Sequence, residues 1–100
     1  MPISNIQSEH REWMDREFPN REPWEFVVGA QEELGELARW LIRAHRNKEH
    51  SDLPGKDAVG DVVIYLMGLC TDMGWSFEEC VVNAWAEVRQ RTPSDGEEKE

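Results

Sequence analysis

The run Glu32-Glu33-Leu34-Gly35-Glu36 and the run Asp57-Ala58-Val59-Gly60-Asp61 share one pattern: acids three or four apart, with a glycine just before the last. Residues at those spacings lie on one face of a helix. Each run opens an apolar stretch with helical spacing. Leu34, Leu37, Trp40 and Leu41 follow the first, and Val62, Ile64, Leu66 and Leu69 the second. Carboxylates beside a core-facing stripe are costly unless something positive satisfies them. Two such helices packed antiparallel would offer oxygen ligands to one or two hard divalent cations. Gly35 and Gly60 each cost about 1 kcal/mol in a helix against alanine, so their matching positions predict a close helix crossing beside the acids.

Working outward, Ser4 is read as an N-cap, and Ile6, Trp13 and Met14 give an amphipathic first helix ending near Phe18-Pro19. Pro23 suits the first position of a second helix, which runs to about His45. Pro54-Gly55 reads as a turn, with a third helix from about Lys56 to Met73. This helix is nearly apolar all round and is expected to be the central one. Gly74 is its expected C-cap. Ser76-Phe77-Glu78-Glu79 is a capping box that starts a fourth helix, carrying Val81, Val82, Trp85 and Val88, which Thr92-Pro93 stops. With these ends Glu36 lies roughly 13 Å before the end of the second helix and Asp61 roughly 7–8 Å into the third. The two clusters then align only if the ends move.

The totals bound the function. At 100 residues there is room for one small core, so residues 1–93 are read as one all-α, four-helix, bundle-like domain. A core this small predicts completion by a homodimer or homotetramer, with the cleft near a subunit interface. Residues 94–100 read as a disordered acidic tail. The formal charge is -10, which argues against nucleic acid as a partner. Met1–Gln7 has neither the basic nor the apolar segment of a signal peptide, and Val62–Cys70 is far short of a bilayer span. A cytoplasmic location without a membrane partner is expected. Cys70 and Cys80 read as reduced, buried thiols, and His10, His45 and His50 as surface residues without zinc spacing.

Glu32-Glu33-x-x-Glu36, followed by Gly60-Asp61-Val62-Val63-Ile64-Tyr65-Leu66, resembles the MazG-like branch of the all-α nucleoside triphosphate pyrophosphohydrolases. The likeness extends from Trp13 to Pro93. It takes in Trp13 with Phe18-Pro19 and a closing Trp85-x-x-Val88-x-x-Arg91. The resemblance implies magnesium, or manganese in its place, and hydrolysis of a nucleoside triphosphate to the monophosphate and pyrophosphate, as in house-cleaning of non-canonical nucleotides. Glu33, Glu36 and Asp61 match its metal-ligand positions, and Glu32 matches the remaining acid of the first motif. The Glu of the second motif falls on Ala58, and Asp57, one turn before Asp61, is the candidate to replace it. If Asp57 does not replace it, the chain is a catalytically weak or inactive nucleotide- and metal-binding module.

For the chemistry, Glu32 or Glu33 is the candidate to orient the attacking water or accept its proton. Phosphate contacts are expected from Arg43, Arg46, Lys48 and Lys56 near the loop, or from Arg89 and Arg91 on the fourth helix. Trp13 and Trp24 are the expected platform for the base, and Asn83 a hydrogen-bonding partner for base or sugar. A purely structural helical adaptor is the third reading, and it predicts no response to magnesium.

Overall fold

The computed structural model describes residues 1–47 and 51–91. The described residues form four helices and no strand, α1 (Ile3–Glu17), α2 (Pro23–Arg46), α3 (Leu53–Met73) and α4 (Phe77–Val88). The chain is all-α. Residues expected in the tail, together with Lys48, His50, Thr92 and Pro93, lie outside the described residues.

α2 begins at Pro23, where the missing N–H is one that a helix start leaves unbonded anyway. The Glu22 backbone N–H donates to Glu25 Oε1 at 3.1 Å, which fixes the entry. Two other starts differ from expectation. α1 starts at Ile3 with Pro2 as its N-cap, so Ser4 is inside the helix. α3 starts at Leu53, three residues before Lys56. Pro54-Gly55 is therefore not a turn but the opening of α3. Pro54 sits in the first turn, where proline is tolerated, and Gly55 is buried beneath Trp40. A Cβ at Gly55 would stand 3.0 Å from the Trp40 ring.

α2 and α3 form an antiparallel hairpin, the most extensive packing in the fold. Along α2, Phe26, Gly29, Ala30, Glu33, Leu37, Trp40 and Ala44 are the residues withdrawn from solvent past the first turn. That is one helical stripe. Its register on α3 is set by aromatic rings resting on glycines. Phe26 lies on Gly68, Tyr65 on Gly29 and Trp40 on Gly55. Each step up α2 is matched by a step down α3, and Glu33 consequently meets Asp61. The earlier start of α3 moves Asp61 deeper into its helix, and the axial offset between Glu36 and Asp61 expected from the sequence narrows to roughly 3 Å.

Gly35 and Gly60 have no part in this. A Cβ at either would meet nothing within 4 Å, and both residues are exposed. The expected close crossing beside the acids is replaced by close contacts at Gly29, Gly55 and Gly68. The reason is rotational. Gly35 lies two residues from Glu33 and Leu37, and Gly60 two from Ala58 and Val62, so each is turned by about 200° from these withdrawn residues, to the outer side of its helix.

α1 and α4 lie against α3 and against each other. Gln7 on α1 makes three of the bonds that join them. Its Nε2 donates to Thr71 Oγ1 at 3.1 Å and to the Trp75 carbonyl at 3.0 Å, and its Oε1 accepts from the Phe77 N–H at 2.9 Å. α3 is the most buried helix, with Met67 fully enclosed. It ends at Gly74, whose left-handed φ of 77° suits glycine. Ser76 Oγ then accepts from the Glu79 N–H at 3.1 Å and starts α4, as its capping box predicts. Cys70 is buried and Cys80 exposed, and both are free thiols, so only one of the two expected buried thiols is buried. Burial, with the Cys80 thiol beside it, pushes the Cys70 thiol up.

The α1–α2 connector is held to the far end of α3 by Arg21. Its Nη2 donates to Asp72 Oδ1 at 2.9 Å and its Nε to the same carboxylate at 3.2 Å. The same Nη2 reaches Asp15 at 2.8 Å. The Arg21 and Asp72 side chains are only 12% and 15% exposed, so removing one leaves the other charge poorly solvated. Arg21→Ala is expected to cost about 2 kcal/mol of stability. Arg21→Lys should recover only part of this, because an ammonium cannot form the two-pronged bond. Urea denaturation of both variants measures it.

Candidate functional site

The α2 stripe carries one carboxylate into the seam, Glu33, and the neighbouring turns carry Glu32 and Glu36 beside it. From α3 come Asp57 and Asp61. These five acids line two adjoining depressions. The smaller, about 340 Å³, holds Glu33, Glu36, Asp57 and Asp61, the four residues expected to hold metal, with Arg39 and Arg43. The larger is a cleft of about 1020 Å³ between α1 and the hairpin. Glu32, Glu33 and Asp61 stand in it with Trp13 and Trp24. Glu33 and Asp61 belong to both depressions and mark where they meet.

Glu33 is held above the usual carboxylate range. Desolvation is the largest cause, followed by the negative charges of Asp61, Glu36 and Glu32. An oxygen-only donor set of this kind suits a hard divalent cation. Among the described residues no three histidine, cysteine or acid side chains are gathered closely enough to hold one ion as they stand. The donors fit magnesium by chemistry and by their shared groove, and side-chain rotation would have to bring them together. The nearest ion pair, Arg39 Nη1 with Glu36 Oε1, is 3.7 Å long and exposed, so it restrains that rotation little.

Ala58 is buried, 4% exposed, and lines the same small groove as Asp57 and Asp61. The position where the resemblance expects an acid therefore faces the seam, and Asp57 stands one residue round the helix on the exposed side.

The aromatic end of the cleft is more organised than the sequence reading anticipates. The His10 and Trp13 rings stack with centroids 6.0 Å apart, Phe18 meets Trp13 edge-on at 5.6 Å, and Phe26 closes on His10 at 6.4 Å. His10 is half-buried rather than a surface residue, because Phe26 and Trp13 cover it. Its Nδ1 is buried without a hydrogen-bond partner. Burial, then the nearby Arg21 charge, push its pKa down, and Asp72 opposes them, so it is neutral at neutral pH. His45 is exposed as expected.

Trp13 and Trp24 thus line the cleft with three of the acids. Lys56, Asn83, Arg89 and Arg91 are exposed and line neither depression. Arg89 and Arg91 follow the end of α4, which packs on the other elements far from α2. Arg43 does reach the small groove. The residues missed by sequence reasoning are His10, Phe18, Arg39 and Tyr65. Three had a readable signal: Arg39 is three residues after Glu36, Tyr65 four after Asp61 and His10 three before Trp13, all on shared helix faces.

No single described helix is long and apolar enough to cross a membrane. No protein-family model, curated protein or solved structure matches the chain.

Proposed function

We propose that the chain is a magnesium-dependent nucleoside triphosphate pyrophosphohydrolase. One observation carries the reading: the aromatic cleft opens onto an acid junction, Glu33 and Asp61, that continues into a groove holding Glu36, Asp57, Arg39 and Arg43. That order suits a base, a phosphate chain and its outer phosphates in turn. Trp13 and Trp24 flank the base by stacking. Glu33, Glu36, Asp57 and Asp61 would hold the cation, which when bound would neutralise phosphate charge and acidify water. Glu32 orients the attacking water, and it or Glu33 takes the proton. Arg39 and Arg43 receive the departing pyrophosphate charge. Little covalent chemistry is asked of the protein, only positioning and charge neutralisation.

The test is pyrophosphate release from a panel of ribo- and deoxyribonucleoside triphosphates, with and without magnesium. Magnesium-dependent release from at least one is expected. Folded protein that turns over none of them overturns the reading. The burial of Ala58 in the acid groove favours one alternative, a binding module with weak or no turnover. Ala58→Glu separates the two. An unchanged or lower rate means Asp57 suffices, and a large gain means the natural chain lacks a ligand.

A further inference from the structure

We propose that Cys70 and Cys80 form an oxidant-responsive dithiol, which hydrogen peroxide converts to a disulfide that fastens α4 to the last turns of α3. The proposal does not depend on the hydrolase reading.

A short return of the chain brings the two thiols together. α3 ends at Gly74, whose left-handed backbone turns the chain out of the helix. The Trp75 N–H donates to the Cys70 carbonyl at 2.7 Å, which holds the connector against the turn that carries Cys70. Ser76 caps α4, and the Cys80 N–H donates to its carbonyl at 3.1 Å, so Cys80 sits one turn along α4. The chain bends by 108° between the two helices, and α4 packs against α3. The Cys80 thiol consequently stands beside the Cys70 thiol at the α3–α4 contact.

The two thiols differ in access. Cys70 is 6% exposed, and Cys80 faces solvent. Burial also keeps Cys70 in the thiol form, so Cys80 is the one that meets an oxidant first. An accessible cysteine with a second one poised next to it is the arrangement of redox-sensing pairs. The Cys80 thiolate attacks one oxygen of hydrogen peroxide, the O–O bond breaks, and hydroxide leaves. Cys80 is then a sulfenic acid. The Cys70 thiolate attacks that sulfur, the S–S bond forms, the S–O bond breaks, and a second hydroxide leaves. Two electrons pass from the sulfurs to the peroxide, and the two thiol protons complete two waters.

The state of α4 gives the bond its effect. This helix has twelve residues and buries none of them. A helix so short is unstable in water without tertiary packing. Its start is held by polar bonds: the Phe77 N–H donates to Gln7 Oε1 at 2.9 Å, and the Glu79 N–H to Ser76 Oγ at 3.1 Å. Weakly packed elements of this kind open locally well before the whole fold does. A covalent link from Cys80 to Cys70 closes the connector into a loop and restricts the freedom that α4 gains by coming away.

The test treats the whole natural chain with hydrogen peroxide at low protein concentration. The product should be a monomer lighter by two hydrogens, with neither cysteine open to alkylation after unfolding. Cleavage after Glu79 should leave the Cys80 segment attached to the Cys70 segment until dithiothreitol is added. The oxidised chain should melt about 10 °C above the reduced one, and the amides of Val81–Val88 should exchange about tenfold more slowly. Cys80→Ser, a change at an exposed position, should leave Cys70 reduced under the same treatment and abolish both shifts. A natural chain in which peroxide carries Cys80 to the sulfinic acid while Cys70 stays a free thiol overturns the proposal. Disulfides formed only between chains overturn it too. An internal disulfide that changes neither Tm nor exchange in α4 overturns the fastening of the helix.

Discussion

Glu33→Gln is expected to lower kcat/KM for triphosphate hydrolysis by about 10²–10⁴-fold while making the magnesium-free protein more stable. The two effects have one cause. Glu33 stands where the large cleft and the small groove meet, facing Asp61, Glu36 and Glu32, and it is raised above the ordinary carboxylate range. A carboxyl whose pKa is higher folded than unfolded binds its proton more tightly in the folded state. Its favourable contribution is present at low pH and is lost as pH rises past the unfolded value and through the raised one. Wherever Glu33 is ionised its charge is unfavourable in the fold, and glutamine removes it. The variant's advantage over the parent should be greatest above the raised pKa and shrink as pH falls through it. Magnesium should raise the Tm of the parent and have much less effect on the variant. Thermal melts at several pH values, with and without magnesium, check the stability arm, and pyrophosphate release checks the other. A variant equal to the parent in both overturns the role assigned to Glu33.

Gly68→Ala is expected to destabilise the fold by about 1–3 kcal/mol, although alanine favours a helix over glycine by about 1 kcal/mol. The added methyl would press on the Phe26 ring, whose carbon Cδ1 would lie 2.6 Å away. Gly29→Ala meets the Tyr65 ring in the same way. Gly35→Ala and Gly60→Ala meet nothing and should each stabilise by about 0.5–1 kcal/mol. Four single substitutions of one kind, read by urea midpoints, thus divide by sign. Equal losses at Gly35 and Gly68 would refute the register in which Phe26 lies on Gly68 and Glu33 meets Asp61.

Much of this was legible in the chain. Pro23, Gly74 and Ser76 mark helix ends through local chemistry, because a missing N–H, a left-handed φ and a side-chain cap each act within one turn. The acids of the two clusters could be grouped by spacing alone, because three- and four-residue steps fix a shared helix face. Pro54-Gly55 was misleading for an equally physical reason. A Pro-Gly pair is compatible both with a turn and with a first helical turn, and the Trp40 ring over Gly55 is a partner distant in sequence. His10 was misplaced because its cover, Phe26, belongs to another helix.

What the sequence by itself determined, then, is an all-α chain with acids paired on helix faces, since helical period, caps and charge are local properties. Only the tertiary structure decided which glycines face the seam, and so which acids meet. That choice depends on rotation and axial register between helices, set by three aromatic rings lying on Gly29, Gly55 and Gly68. A single residue step turns a side chain by about 100°, so no side chain can be assigned to a flank of the hairpin until the seam between α2 and α3 is known.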